Sequence, residues 1–308
     1  MPRFGKGKPM AEQARNLLKG HLALDSRHAA KRAAGVKGGR STGKIHSIAT
    51  FNKYAGTLKN AGEWLKAEHQ IRHLDKVTPV QAQAYLQHRR ESGIGQKQLD
   101  ADRNALQFIT GRLEQVHAVT PQKLDPRAYS AEQVRLVAGR QTERNALSTE
   151  LVYRTGLRAH ELFTLKRQDE AQPFAHRTWH PARFQGRDGV RYIATGKGGL
   201  SREILIPHDL AMRLEERRLE EPRVITDRGI HYQSHYAING GQAWSESFSA
   251  ASNAALDRST GGHGLRHSYA QERLGELQAR YHSYKEAKLI LSQELGHFRA
   301  DVVNAYLR

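Results

Sequence analysis

The stretch GVRYIATGKGGLSREILIPHD, Gly189–Asp209, decides the fold class. Apolar and polar residues alternate on both sides of Gly196-Lys197-Gly198-Gly199, a period of two that reads as two strands joined by a tight turn. On either side of it the period is helical. Helices are expected through LAMRLEERRLEE after the hairpin, then SESFSAASNAALDR, GGHGLRHSYAQERL, KEAKLILSQELG and RADVVNAYLR. The charge run Glu215–Glu221 reads as a solvated helix face. One small antiparallel sheet within many helices makes the expected class mainly α with a small antiparallel β-sheet (α+β).

Before the hairpin, YSAEQVRLVAG opens with Ser130 and Gln133 as a capping box. ERNALSTELVYRTG leads to Gly156, and LRAHELFTLKR reads as a further helix. Further upstream, Tyr54, Leu58, Ala61 and Leu65 recur on one helical face. TPVQAQAYLQHRRESG begins with Thr78 as N-cap, Pro79 at N1 and Gln81 at N3. A third helix carries Leu99, Leu106, Ile109, Leu113 and Val116. Trp64 and Tyr85 read as core aromatics. These helices form a bundle that ends near VTPQKLDP, whose prolines mark a linker. The expected organisation is a basic flexible arm over 1–44, a helical DNA-binding domain over 45–125 and a catalytic domain over 126–308.

Composition narrows the partner. The 308 residues carry 49 Lys+Arg against 31 Asp+Glu, a formal net charge of +18. Such a surplus favours a polyanion, because each neutralised phosphate releases condensed counterions. The arm is especially basic, with only Glu12 and Asp25 opposing its lysines and arginines. Cysteine is absent, which excludes disulfides and cysteine–zinc sites. No apolar run approaches the ~20 residues that span a bilayer, so a cytoplasmic, DNA-associated protein is expected.

GGHGLRHSYAQERL, Gly261–Leu274, gathers His263, Arg266 and His267 at a helix start. Histidines four apart suit zinc, but the Glu of His-Glu-x-x-His is missing and Arg266 sits between them. A fixed guanidinium beside a dication is repulsive, so no metal or other cofactor is expected. The phosphate reading asks for more donors, and Arg158 in TGLRAHEL supplies one just after Gly156, at an expected helix N-terminus. An arginine fork matches two phosphate oxygens, which a lysine cannot copy. Glu161, one turn on, orients a guanidinium or a neighbouring histidine. His267, about 100° round the helix from Arg266, reads as structural or backbone-contacting.

TGLRAHEL, the hairpin lysine, HGLRH, ELGH and the tyrosine nine positions beyond that last histidine together resemble the tyrosine recombinase (phage integrase) family over residues 45–308. The resemblance implies that Arg158 and Arg266 clamp the scissile phosphate. His263 is a proton-transfer or hydrogen-bonding partner, Lys197 protonates the departing 5′ oxygen, His297 binds a phosphate oxygen and Tyr306 is the nucleophile. Tyr281 and Tyr284 lack the spacing from a histidine. A phenol with pKa near 10 is a poor nucleophile, so positive charge and a base must assist it. A 3′-phosphotyrosine conserves the phosphodiester bond energy, so rejoining needs no ATP.

The implied enzyme is a site-specific recombinase shaped as a C-clamp on DNA that integrates or excises a mobile genetic element. It would work as dimers that pair into a tetrameric synapse, with DNA-bending accessory proteins as possible partners. QARYHSYKEA reads as an insertion. The chain ends two residues after Tyr306, so exchange of a C-terminal segment is expected to be absent, made by another segment, or lost to truncation. The rival activities are a type IB topoisomerase-like nicking-closing enzyme and a catalytically inactive DNA-binding relative.

Overall fold

A computed structural model of the chain describes residues 8–24, 30, 35, 42–119, 121, 125–196, 198–280 and 282–308. Much of the arm over 1–44, part of VTPQKLDP, Lys197 and Tyr281 lie outside the described residues. The chain divides into two compact units, Met1–Lys123 and Leu124–Arg308.

In the first unit, α1 (Met10–Lys19) buries Ala14 and Leu18 completely. This part of the expected flexible arm therefore belongs to a core, because one face of its sequence is apolar enough to pack. A parallel bridge between Leu22 and Ile45 ties the ends of the following segment. Next come α2 (Ile48–His69), α3 (Pro79–Glu91) and α4 (Gln96–Thr110). The capping box of Thr78 and Gln81 and the N1 proline stand as read from the sequence. Leu58, Ala61, Leu65, Leu86, Leu99 and Leu106 are fully or almost fully buried in the core. Tyr85 is buried and Trp64 partly buried, their ring centroids 5.6 Å apart. Buried Asp102 accepts hydrogen bonds from Thr57 on α2 (2.9 Å), Arg89 on α3 (3.2 Å) and Gln98 on α4 (2.6 Å). One carboxylate thus fixes the register of three helices.

The third expected helix is shorter than its apolar pattern. Gly111, with a positive φ of 78, ends α4, and Leu113 and Val116 reach the core from the non-helical segment beyond.

The second unit opens with α5 (Ala131–Ala138), capped by Ser130 and Gln133 as expected, and α6 (Glu143–Thr155). LRAHELFTLKR departs from its helical reading. Only a 3-10 turn, Ala159–Thr164, forms before β1 (Lys166–Arg167). β2 (Val190–Thr195) and β3 (Ser201–Ile206) form the expected hairpin, and the antiparallel order is β1-β2-β3. Thr195 pairs with Ser201 at its closing end.

α7 (His208–Glu215) stops early, and β4 (Arg218–Asp227) and β5 (Ile230–Tyr236) make a second antiparallel pair. The run Glu215–Glu221 is therefore not a helix face. β4 is exposed along most of its length, so it lacks the alternation that betrays a half-buried strand. Glu215 accepts from Tyr192, Tyr236 and Arg167.

α8 (Gly241–Leu256), α9 (His263–Ala279), α10 (Tyr284–Glu294) and a 3-10 turn, Ala300–Tyr306, complete the unit. The stretch read as an insertion covers the last two residues of α9, the connection and the first four residues of α10. Trp244, Phe248, Leu265, Leu151 and Ile204 share one core cluster. Full burial of a side chain like Phe248 contributes about 1.5–3 kcal/mol. A second cluster holds Tyr269, Leu277, Ile290, Leu291, Leu295, Val303 and Tyr306. Among the described residues, no helix is long and apolar enough to cross a membrane.

Candidate active site

Gly156 ends α6 with φ 65, and a Cβ there would lie 2.7 Å from the Tyr269 ring. The chain can therefore turn sharply against α9 only with glycine at this position. Arg158 follows in an extended conformation, as the cap of the 3-10 turn. Its backbone N–H donates to Glu161 Oε2 (2.8 Å) and its Nη1 donates to Glu161 Oε1 (2.7 Å). Glu161 thus fills the helix-start position that the sequence reading offered to an anion.

Glu161 is fully buried. Arg202, also fully buried, donates to its Oε2 at 2.9 Å and reaches the Glu294 carbonyl at 3.0 Å. Burial pushes the Glu161 carboxyl up. The guanidiniums of Arg202, Arg158 and Arg266 outweigh this and hold it well below the usual carboxylate range. Three arginines around one carboxylate leave a net positive site.

Arg266, in the first turn of α9, is fully buried. Its Nη1 donates to the Gly156 carbonyl and its Nη2 to the Leu295 carbonyl, which fixes the plane of the guanidinium. Nε reaches the Tyr306 hydroxyl at 3.3 Å. Burial, then Arg158, pushes its pKa down to about 10, so it stays charged at neutral pH.

His297 follows Gly296, whose φ of 74 ends α10, and its backbone N–H donates to the Ser292 carbonyl (2.6 Å). Three groups converge on its Nε2: Arg158 Nη2 at 3.1 Å, the Tyr306 hydroxyl at 3.3 Å and Arg266 Nη2 at 3.5 Å. Burial, with Arg266 and Arg158, pushes the imidazole down to about 3. It is neutral at physiological pH. Guanidinium groups only donate, so Nε2 is an acceptor and the ring proton sits on Nδ1. Tyr306 is 7% exposed, and its hydroxyl can accept from Arg266 Nε while donating to His297 Nε2.

The His263 and His267 ring centroids lie 5.8 and 5.2 Å from that of Tyr306. Burial pushes both down to about 4, assisted at His263 by Arg266 and at His267 by Arg127. His267 is buried, and its Nδ1 has no hydrogen-bond partner among the described residues. Among the described residues, no group of three or more His, Asp or Glu is gathered as metal ligands would be.

The structure therefore brings Arg158, Glu161, His263, Arg266, His297 and Tyr306 together. Lys197 lies outside the described residues, but its hairpin reaches this place. A Cβ on Gly196 would lie 2.7 Å from Glu161 Oε1 and 3.6 Å from Arg158 Nη1. Tyr284 is half exposed under the Lys288 ammonium. Sequence reasoning missed Arg202 and the Gly156 and Leu295 carbonyls. Arg202 carried no signal, lying between Ser201 and Glu203 at the polar start of β3, and the two carbonyls carried none.

Several solved structures share this fold. The chain matches the XerH site-specific recombinase bound to its difH substrate with a TM-score of 0.56 and 15% identity, covering 100% of this chain and 95% of that one. A lambda integrase dimer bound to a COC′ core site gives 0.53 and 14%, covering 91% and 93%. The Tn1549 transposon integrase in complex with transposon right end DNA gives 0.51 and 14%, covering 92% and 94%. No protein-family model and no curated protein matches the sequence. At these identities the likeness shows the fold, and the chain has the α+β fold of recombinases and integrases expected from the resemblance.

Proposed function

We propose that this chain is a site-specific DNA recombinase that cuts and rejoins DNA through a 3′-phosphotyrosine, integrating or excising a mobile genetic element. One observation carries the reading: guanidinium, imidazole and phenol groups from four separate segments meet at His297 Nε2, all within 3.5 Å. Core packing alone does not require two cations beside a phenol, since buried like charges repel.

A phosphodiester placed at Arg158 Nη2 sits beside the Tyr306 oxygen, and His297 Nε2 donates to a phosphate oxygen once it has taken up a proton. Tyr306 attacks phosphorus, the P–O5′ bond breaks, and the DNA 3′ end becomes joined to the phenol oxygen. The phenolic proton passes to a neutral imidazole, His297 or His263. Arg158 and Arg266 stabilise the added negative charge of the transition state from fixed positions, which costs no reorganisation during reaction. Glu161 and Arg202 hold Arg158 in place. Lys197, on the hairpin beside Arg158, is assigned the protonation of the leaving 5′ oxygen. The reverse sequence with a new 5′ hydroxyl rejoins the strand.

Double-stranded DNA is the substrate of this reading, in line with the net charge of +18 and with the DNA in the structures of similar fold. Dimers on each site, joined as a tetramer, would exchange the strands, with bending proteins assisting. The domain roles follow: a DNA-binding unit over 45–125 and a catalytic unit over 126–308. The test is to incubate the protein with a plasmid carrying the DNA that flanks its gene and quench in detergent. Nuclease digestion and mass spectrometry then search for a nucleotide-bearing peptide.

A further inference from the structure

A single helix meets Tyr306 at four points. Along α9, His263 and His267 flank the ring, with centroids 5.8 and 5.2 Å away, and Arg266 Nε reaches the hydroxyl at 3.3 Å. The fourth contact differs in kind. Gln271 Nε2 donates to the Tyr306 carbonyl oxygen and to a main-chain oxygen of Arg308, each at 3.1 Å. His267 and Gln271 stand one turn apart, on one face of the helix.

The turn that carries Tyr306 needs such a partner. Ala300–Tyr306 is a 3-10 helix, a form with poorer hydrogen-bond geometry than an α-helix. Carbonyls at its C-terminal end have no partner further along the helix. A primary amide has two N–H donors, enough to bridge two main-chain oxygens two residues apart, one at the end of the turn and one just beyond it.

We infer that Gln271 is a positioning residue: its amide latches the terminal turn through the main chain, so that the Tyr306 hydroxyl stays on Arg266 and His297. This rests on the reading of Tyr306 as nucleophile. The latch touches neither the phosphate groups nor the phenol, so it acts on nucleophile alignment and not on DNA binding. Misplacement of a reacting atom by about 1 Å can cost on the order of 100-fold in rate.

The test compares the full-length protein with Gln271→Met, of similar length but without donors, and Gln271→Lys, which restores a donor. All three residues are good helix formers. On the flanking-DNA plasmid, Gln271→Met should form adduct about 10- to 100-fold more slowly. Its DNA affinity should stay within about two-fold, and Gln271→Lys should recover part of the rate. An unchanged rate in Gln271→Met, or equal losses of rate and affinity, would overturn the latch. Hydrogen exchange over residues 300–308 reads the latch without activity. It should be faster in Gln271→Met and slowed again in Gln271→Lys, and unchanged exchange also overturns the proposal. A wild-type chain that forms no adduct removes the nucleophile reading, while the exchange result still decides the latch.

Discussion

The Tyr306 hydroxyl and His297 Nε2 lie 3.3 Å apart, and the same nitrogen lies 3.1 Å from Arg158 Nη2. A depressed pKa of about 3 keeps the imidazole neutral, able to accept the phenolic proton. The second-order rate of adduct formation, which reports the free enzyme, should therefore show no histidine limb between about pH 5.5 and 7.5. A fall with an apparent pKa near 6.5 would mean that His297 titrates normally and is not held as described.

Stability should depend on pH with one sign. His263, His267 and His297 are depressed to about 4, 4 and 3 from 6.5. The unfolded chain thus binds more protons than the folded one as pH falls below 6.5, and stability is lost in that direction. Each histidine contributes at most about 1.4 kcal/mol per pH unit. Glu161 adds a loss of the same sign below its ordinary 4.5, because its folded carboxyl stays charged. Urea denaturation of the second unit between pH 4.5 and 7 checks this. Stability that is flat, or rises towards acid, would refute the assignment.

Arg158→Lys keeps the charge but loses the fork that spans Glu161 and His297. Adduct formation should fall on the order of 10²–10³-fold, as when one transition-state donor is removed. DNA affinity, spread over many phosphate contacts, should change little. Retention of more than about a tenth of the rate would place the phosphate elsewhere.

Much of this arrangement was legible in the sequence. The hairpin showed through its two-residue alternation, and Thr78 and Ser130 marked helix starts through caps set within three residues. Arg158 and Arg266 were read as phosphate donors, His297 and Tyr306 were named only through the family resemblance, and the structure brings the four together. The misreadings have two causes: partners remote in the chain, and a strand pair without a buried face. LRAHELFTLKR has helical periodicity, but the Glu161 carboxylate caps Arg158 and pairs with Arg202, 41 residues away, and only a short 3-10 turn forms. β4 escaped notice because an exposed ribbon has no buried face to impose a pattern. Gln271 bonds main-chain oxygens 35 and 37 residues on, which no spacing rule anticipates.

In the proposed reaction guanidinium groups supply the charge stabilisation, so cleavage should persist at full rate in excess EDTA. Activity abolished by the chelator and restored by a divalent ion would contradict that assignment of roles.

The most direct measurement is the site of covalent attachment. Detergent-quenched reactions on flanking DNA, digested with nuclease and protease, should yield one nucleotide-bearing peptide, modified at Tyr306. Tyr306→Phe should bind the same DNA and yield none. An adduct that survives Tyr306→Phe, or that maps to another residue, would contradict the account.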